Sequence, residues 1–117
     1  MIDNPSISVV IPVFNEEDSL QQLYCELCQV LKPFSSWEII FVDDGSDDQS
    51  FPILQKIVDN DNHVTAIRFF KNYGKADALS EGFKYTIGEI IITMDADLQD
   101  DPSEIPNLIN TIQEGWD

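Results

Sequence analysis

The chain has 117 residues, enough for one domain around a single core and too few for two. Apolar residues make up 43% and charged residues 24%, close to globular averages, which excludes a disordered or fibrous chain. Six basic against 22 acidic side chains give a formal charge of −16, which repels a nucleic-acid backbone or a bare anionic membrane; a few convergent carboxylates could instead hold a divalent cation.

Residues 1–4 lack the basic and apolar stretches of a secretory signal, and no apolar run approaches the roughly 20 residues that span a bilayer, so a soluble, cytoplasmic chain is expected. Residues 7–14 form a β-branched apolar run suited to a strand covered on both faces. Asn15-Glu16-Glu17-Asp18 reads as a helix start with acids in its first turn. Leu20, Leu23, Tyr24, Leu27, Cys28 and Leu31 then recur at helical spacing until Lys32-Pro33 stops them. Cys25 and Cys28, one turn apart, are poorly placed for a disulfide and lack a second ligand pair for zinc, so they read as reduced structural thiols.

The pattern repeats. Residues 38–42 are a strand, 43–48 a loop in which Ser46 or Asp47 can cap the following helix, and Phe51, Leu54, Ile57 and Val58 mark that helix, with Pro52 in its first turn. Residues 64–70 read as a third strand and 71–74 as a turn. Ala76, Leu79 and Phe83 give the next helix one apolar face, with Gly88 just past its end. Residues 89–94 are the fourth and most apolar strand. Beyond the loop 95–101, Ile105, Leu108, Ile109 and Ile112 share a helical stripe, with Pro106 in the first turn. Four βα units predict an α/β fold, a parallel Rossmann-like sheet in a three-layer α/β/α arrangement, and one domain over residues 1–117.

Ligands of open α/β sheets sit outside the carboxyl ends of the strands. Three loops on that edge carry chemistry: 12–16, 43–46 and 95–99. Asp95 and Asp97, one residue apart after a strand, can reach one octahedral ion if the loop bends, with Gln99 a neutral oxygen donor nearby; the plainer role is to solvate the loop and cap the next helix. In Asp43-Asp44-Gly45-Ser46 the glycine permits a sharp turn. One carboxylate is then free for a ligand's N–H edge or hydroxyls, unless the tetrapeptide is purely a turn. Phe14 beside Glu16 offers an aromatic face for a base or ribose, or else belongs to the core.

Together, Val9 to Glu17, Val42-Asp43-Asp44-Gly45-Ser46 and Met94-Asp95-Ala96-Asp97-Leu98-Gln99, in this order and spacing, resemble the nucleotide-binding half of a family 2 glycosyltransferase with the GT-A fold. Polyprenyl- and dolichyl-phosphate sugar transferases are the nearest in pattern, and the resemblance runs from about Ser6 onward. It implies that Pro12, Phe14 and Glu16 line a nucleoside pocket, that Asp44 reads the N–H edge of uracil or guanine, and that Ala96 lies on the ribose side. It further implies that Asp95 and Asp97 bind Mg²⁺ or Mn²⁺, with Gln99 an additional ligand and Asp95 serving the nucleotide side as well. Residues 71–75 resemble the family segment before the third helix, where Lys75 or Lys71 could approach the diphosphate; the plainer expectation is a solvated lysine.

The implied reaction is inverting transfer of a sugar from a nucleotide diphosphate, a UDP-sugar or GDP-mannose, to an acceptor such as a polyprenyl phosphate of the cell envelope. The implied parent works at the cytoplasmic face of the membrane. The family places its acceptor-side residues after the segment present here, so a donor-binding half with the acceptor-binding half missing, weak or inactive alone, is expected, and catalytic acceptor-side residues cannot be assigned. An apolar face left by that half predicts a homo-oligomer. Two rival classes match the order of acids less well. A receiver-like Mg²⁺-binding module acting through a protein partner places acids after its first and third strands, unlike this chain. A haloacid dehalogenase-type phosphatase opens with an Asp-x-Asp followed by Gly, whereas Leu98 follows Asp97 late in this sequence. His63 lies in a polar loop tied to no site, and Trp37 and Trp116 are expected to be core or edge aromatics.

Overall fold

The structure, a computed structural model, describes residues 5–115; Trp116 lies outside the described residues. Four parallel strands, β1 (Ile7–Val13), β2 (Trp37–Asp43), β3 (Val64–Arg68) and β4 (Ile90–Thr93), form one sheet in the order β3-β2-β1-β4. In register, Val9 faces Ile39 on one side and Ile92 on the other. Helices α1 (Leu20–Leu31), α2 (Ser50–Asn60), α3 (Lys75–Phe83) and α4 (Ile105–Gln113) connect or follow the strands, with a 3-10 turn at Pro102–Glu104.

The topology places the helices. From β1 to β3 the chain steps one way along the sheet, and β4 then returns to the far side of β1. Right-handed crossovers that reverse direction put their helices on opposite faces. Leu20, Leu23, Leu27 and Leu31 of α1, Leu54 and Ile57 of α2, and Ile105 and Ile109 of α4 accordingly pack with Val9, Ile11, Val13, Ile39 and Phe41 in one core. Ala78 of α3 packs with Ile40 and Val42 on the other face. Each fully buried Leu or Ile contributes roughly 1.5–3 kcal/mol, and the four leucines of α1 are 0% exposed. The reversal also opens a crevice between the carboxyl ends of β1 and β4.

Several elements differ from their sequence patterns. Helix α1 begins at Leu20, with no acid in its first turn: Asn15 takes φ 53°, a left-handed value that a right-handed helix excludes, and residues 17–19 form a turn in which the Ser19 and Leu20 N–H groups donate to the Glu16 carbonyl at 3.1 and 3.2 Å. Strand β3 ends at Arg68, and Phe70 is fully exposed. Strand β4 is an edge strand covered on one face: Ile90 and Ile92 are buried while Ile91 is 45% exposed.

Helix α3 buries Ala78 and Gly82, whereas Ala76 and Phe83 are exposed and Leu79 is half-buried. It lies so close to the sheet that a Cβ on Gly82 would come 2.5 Å from Val10 Cγ1, which selects small residues over large ones. The helix also stops at Phe83, well before Gly88. On α4, Leu108 and Ile112 of the predicted stripe are exposed. Both cysteines are free thiols, but Cys25 is exposed and only Cys28 is partly buried.

Candidate functional site

The first two loops are stitched together. The Asn15 N–H donates to Ser46 Oγ at 2.9 Å, and its side-chain carbonyl accepts from the Asp47 N–H at 3.0 Å. The Glu16 N–H donates to Ser50 Oγ at 2.9 Å. Ser46 is thereby spent on the β1–α1 loop and does not cap α2, whose N-cap is Gln49 with no side-chain bond. Asp48 accepts the Ser50 N–H at 2.8 Å instead. Partial burial raises the Asp48 carboxyl, but donors from Ser50 and Glu17 outweigh it and hold the group below its ordinary value.

At the end of β2, Asp43 is fully buried and accepts the Ser46 N–H at 3.0 Å. Gly45 follows with φ 76°, and a Cβ there would lie 2.3 Å from the Lys71 carbonyl carbon. Asp44, 3% exposed, grips the turn before α3: it accepts from the N–H of Tyr73 at 2.8 Å, of Gly74 at 3.0 Å and from Asn72 Nδ2 at 3.1 Å. A carboxylate offers about four lone-pair positions. Three are engaged within the chain, so turn-building and ligand-reading compete for the same group.

In the third loop the Asp95 N–H donates to Asp100 at 3.0 Å and the Gln99 N–H to Asp97 Oδ1 at 3.1 Å. The Ser19 hydroxyl donates to the Ala96 carbonyl at 2.6 Å, which fastens this loop to the first. Leu98 closes the turn at φ 66°, a strained value for a branched side chain, while its partly buried side chain packs on the core. Asp101 caps the 3-10 turn through the Ser103 N–H, and that bond holds its carboxyl below the usual range.

The three loops and the turn before α3 line an open cavity of about 360 Å³ at the crevice between β1 and β4. That volume falls within the roughly 300–1,000 Å³ of small-molecule sites. Pro12, Phe14 and Glu16, then Asp44, then Asp95, Ala96 and Asp97 line it. Phe14 is 45% exposed, so it presents its ring to the cavity and does not fill the core. Gln99 is exposed and does not line the cavity; the turn it closes directs only its backbone to Asp97.

Asn72, Gly74 and Lys75 also line the cavity; the sequence assigned no site role to Asn72 or Gly74 and favoured a solvated Lys75. Lys75 is not simply solvated: its Nζ sits 2.5 Å from Asp95 Oδ1, and that bond raises its pKa above the ordinary lysine value. The signal lay in Asn72-Tyr73-Gly74-Lys75 itself, a turn between strand and helix that brings an amide, a glycine and a cation to the ligand edge.

The donor set is hard oxygen, suited to Mg²⁺ or Mn²⁺, and the lysine ammonium on Asp95 already stands as a cation on one member of it. Among the described residues no three His, Cys, Asp or Glu side chains are grouped so as to hold a metal ion; Asp95 and Asp97 both line the cavity. Mg²⁺ sites are often of this kind, with substrate phosphates and water completing the shell.

His63 lies elsewhere, at the opposite end of the strands. Its ring stacks on Trp37 at 3.9 Å and its Nδ1 is 2.8 Å from Asp61, whose other oxygen accepts from the Tyr24 hydroxyl. Burial, then the bond to Asp61, pushes the Tyr24 pKa up.

A parallel sheet of order β3-β2-β1-β4 with an aspartate pair beside its crevice defines a Rossmann-like GT-A fold. The family described as "Glycosyl transferase family 2" matches residues 8–117, and the chain belongs to it. It is 47% identical over 113 residues to the undecaprenyl-phosphate 4-deoxy-4-formamido-L-arabinose transferase of Proteus mirabilis strain HI4320, covering 95% of this chain and 35% of that protein. The protein of the same name from Pectobacterium atrosepticum strain SCRI 1043 / ATCC BAA-672 is 44% identical, covering 100% of this chain and 37% of that protein.

The chain thus spans about a third of the length of these curated relatives. Among solved structures, a mannosyltransferase from Pyrobaculum calidifontis in complex with GDP-Man and Mn²⁺ superposes with a TM-score of 0.80 at 22% identity, covering 97% of this chain and 33% of that one. S. aureus TarS in complex with UDP-GlcNAc gives 0.77 at 24%, covering 93% and 31%. These two likenesses establish the fold. Family membership sets aside the receiver-like and phosphatase readings.

Proposed function

We propose that this chain is the donor-binding part of an inverting glycosyltransferase that moves a sugar from a nucleotide diphosphate to a polyprenyl phosphate. The observation that carries this reading is the convergence of three sequence-distant loops on one cavity at the sheet's crevice. The names of the 44–47% identical relatives support the lipid-phosphate acceptor, and the solved relative with GDP-Man and Mn²⁺ supports a divalent cation.

In this reading Pro12, Phe14 and Glu16 hold the nucleoside, with Phe14 supplying the aromatic face. Asp44 offers its remaining lone pair to the base while it orders the turn at 72–74, and Ala96 leaves room for the ribose. Asp95 and Asp97, which both line the cavity, hold Mg²⁺ or Mn²⁺, and Gln99, which stands outside its wall, is left out of the ligand set. Bound there, the cation supplies Lewis-acid neutralisation of the leaving diphosphate. Lys75 adds a positive charge at the same wall. An ionised lipid phosphate needs little help from a base, so this part of the site has only to bind and orient the donor.

Among the described residues no helix is long and apolar enough to cross a membrane. The polyprenyl-phosphate acceptor named in the 44–47% identical relatives supports a parent enzyme working at the cytoplasmic face of the membrane. The exposed Tyr85, Ile87 and Ile91 near the β4 edge support self-association of the chain, which size-exclusion chromatography at several concentrations reads directly.

Isothermal titration with UDP, UDP-sugars and GDP-mannose, with and without Mn²⁺, tests the donor reading. Metal-dependent nucleotide binding that is lost in Asp97→Ala is the expected result. A folded chain that binds no nucleotide under any of these conditions refutes it.

A further inference from the structure

We infer that Lys75 couples metal and diphosphate binding: in the empty protein its ammonium occupies the cation position on Asp95, and it passes to the diphosphate when a divalent cation takes that carboxylate. The inference rests on the reading of Asp95 and Asp97 as the metal pair.

Four carboxylates, Glu16, Asp44, Asp95 and Asp97, line the cavity, and Lys75 is the sole cation among the lining residues. A bare diphosphate entering this wall meets net negative charge. Lys75 also stands at the first position of α3, where the helix dipole disfavours a cation, so its placement does nothing for the helix. Its base is fixed, because Asp44 holds the N–H groups of Tyr73 and Gly74 just before it. Its tip is held chiefly by Asp95, and its side chain is 60% exposed on a flexible stem, so the ammonium can swing without backbone movement.

Space exists on both sides of the Lys75–Asp95 pair. The same two residues line the 360 Å³ cavity and a smaller hollow of about 100 Å³ bounded by Thr93 and Asp100. A divalent cation binding alone has to displace Lys75 from Asp95 and leave it only the weaker attraction of Asp97 and Asp100. When the diphosphate is present, the displaced ammonium gains phosphate oxygens instead. Each ligand therefore strengthens the other, and by linkage the effect is equal in both directions. A plain surface ion pair shows no such coupling.

Mn²⁺ titration followed by electron paramagnetic resonance, with and without saturating UDP, separates the two cases in the wild-type chain, Lys75→Met, Lys75→Arg and Asp97→Asn. Lys75→Met is expected to bind Mn²⁺ alone about twofold to fivefold tighter, in line with the worth of an exposed ion pair. Its UDP-induced gain in Mn²⁺ affinity is expected to shrink by about fivefold or more, and Lys75→Arg to restore that gain in part. Unchanged Mn²⁺ affinity and unchanged coupling in Lys75→Met overturn the inference while leaving the metal reading intact, provided Asp97→Asn still abolishes Mn²⁺ binding. Absence of Mn²⁺ binding in both wild type and Lys75→Met, with circular dichroism showing folded protein, overturns the metal reading itself and the inference with it.

Discussion

Asp44→Ala removes the one carboxylate that joins the end of β2 to the start of α3. The wild-type group, 3% exposed, receives the N–H groups of Tyr73 and Gly74 and the side chain of Asn72. Hydrogen bonds to a charged acceptor contribute about 1.5–3 kcal/mol each, and a buried donor left unsatisfied costs a similar amount. Asn72 is exposed and recovers its bond from water, so the loss comes mainly from two backbone donors. The expected destabilisation is about 3 kcal/mol, or a fall in Tm of roughly 10 °C for a domain of this size. Urea denaturation followed by circular dichroism measures it. Asp44→Asn, which keeps one acceptor but turns an amide N–H₂ toward a donor, falls between wild type and alanine. Because Gly74 and Lys75 line the cavity, nucleotide affinity falls along with stability. An Asp44→Ala protein whose denaturation midpoint and slope match wild type would falsify the clamp and leave Asp44 as a ligand-reading group only.

Two further outcomes follow from local geometry. Gly74 has φ 107° and ψ 159°, a region open essentially to glycine, and a Cβ there would touch nothing within 4 Å. Gly74→Ala is therefore expected to cost about 1–3 kcal/mol through backbone strain alone, and an unchanged Tm would show that the turn relaxes freely. Asp48, held below its ordinary value of 3.8, is charged in the folded state at pH values where the unfolded chain has begun to protonate. Its stabilising contribution is complete above pH 3.8 and is lost as pH falls through the lower folded value. Asp48→Asn should flatten the acid limb of a stability–pH curve in that window, and parallel loss in both proteins would refute the assignment.

The loops of the site were more legible than the elements carrying them. Asp43-Asp44-Gly45-Ser46 and Asp95-Ala96-Asp97 announce themselves because carboxylates and glycine directly after an apolar run are locally unusual. The chemistry of each loop needs only its own residues. Their partners were hidden: Ser46 and Asp47, the two candidate caps of α2, both bond Asn15, and Ser50 and Ser19 bond backbone groups 34 and 77 residues away. A serine hydroxyl carries no sequence mark of which distant N–H or C=O it will meet. The buried side of α3 was misread for a related reason. Helical periodicity ranks faces by hydrophobicity, whereas the 2.5 Å approach of Gly82 to Val10 selects the smallest side chains.

The sequence alone determined the alternation of strands and helices, the parallel sheet and the three chemically loaded loops, since these follow from apolar periodicity and turn chemistry acting over a few residues. Which strand lies at the edge, which face each helix covers and which charges meet across the crevice were decided only in three dimensions. The strand order β3-β2-β1-β4 exposes one side of β4 and opens the cavity between it and β1. The same order sets Lys75 against Asp95, twenty residues away along the chain. Long-range contacts of this kind are fixed by packing and topology, and the −16 charge read from composition gives no hint that one lysine sits among the four acids that matter.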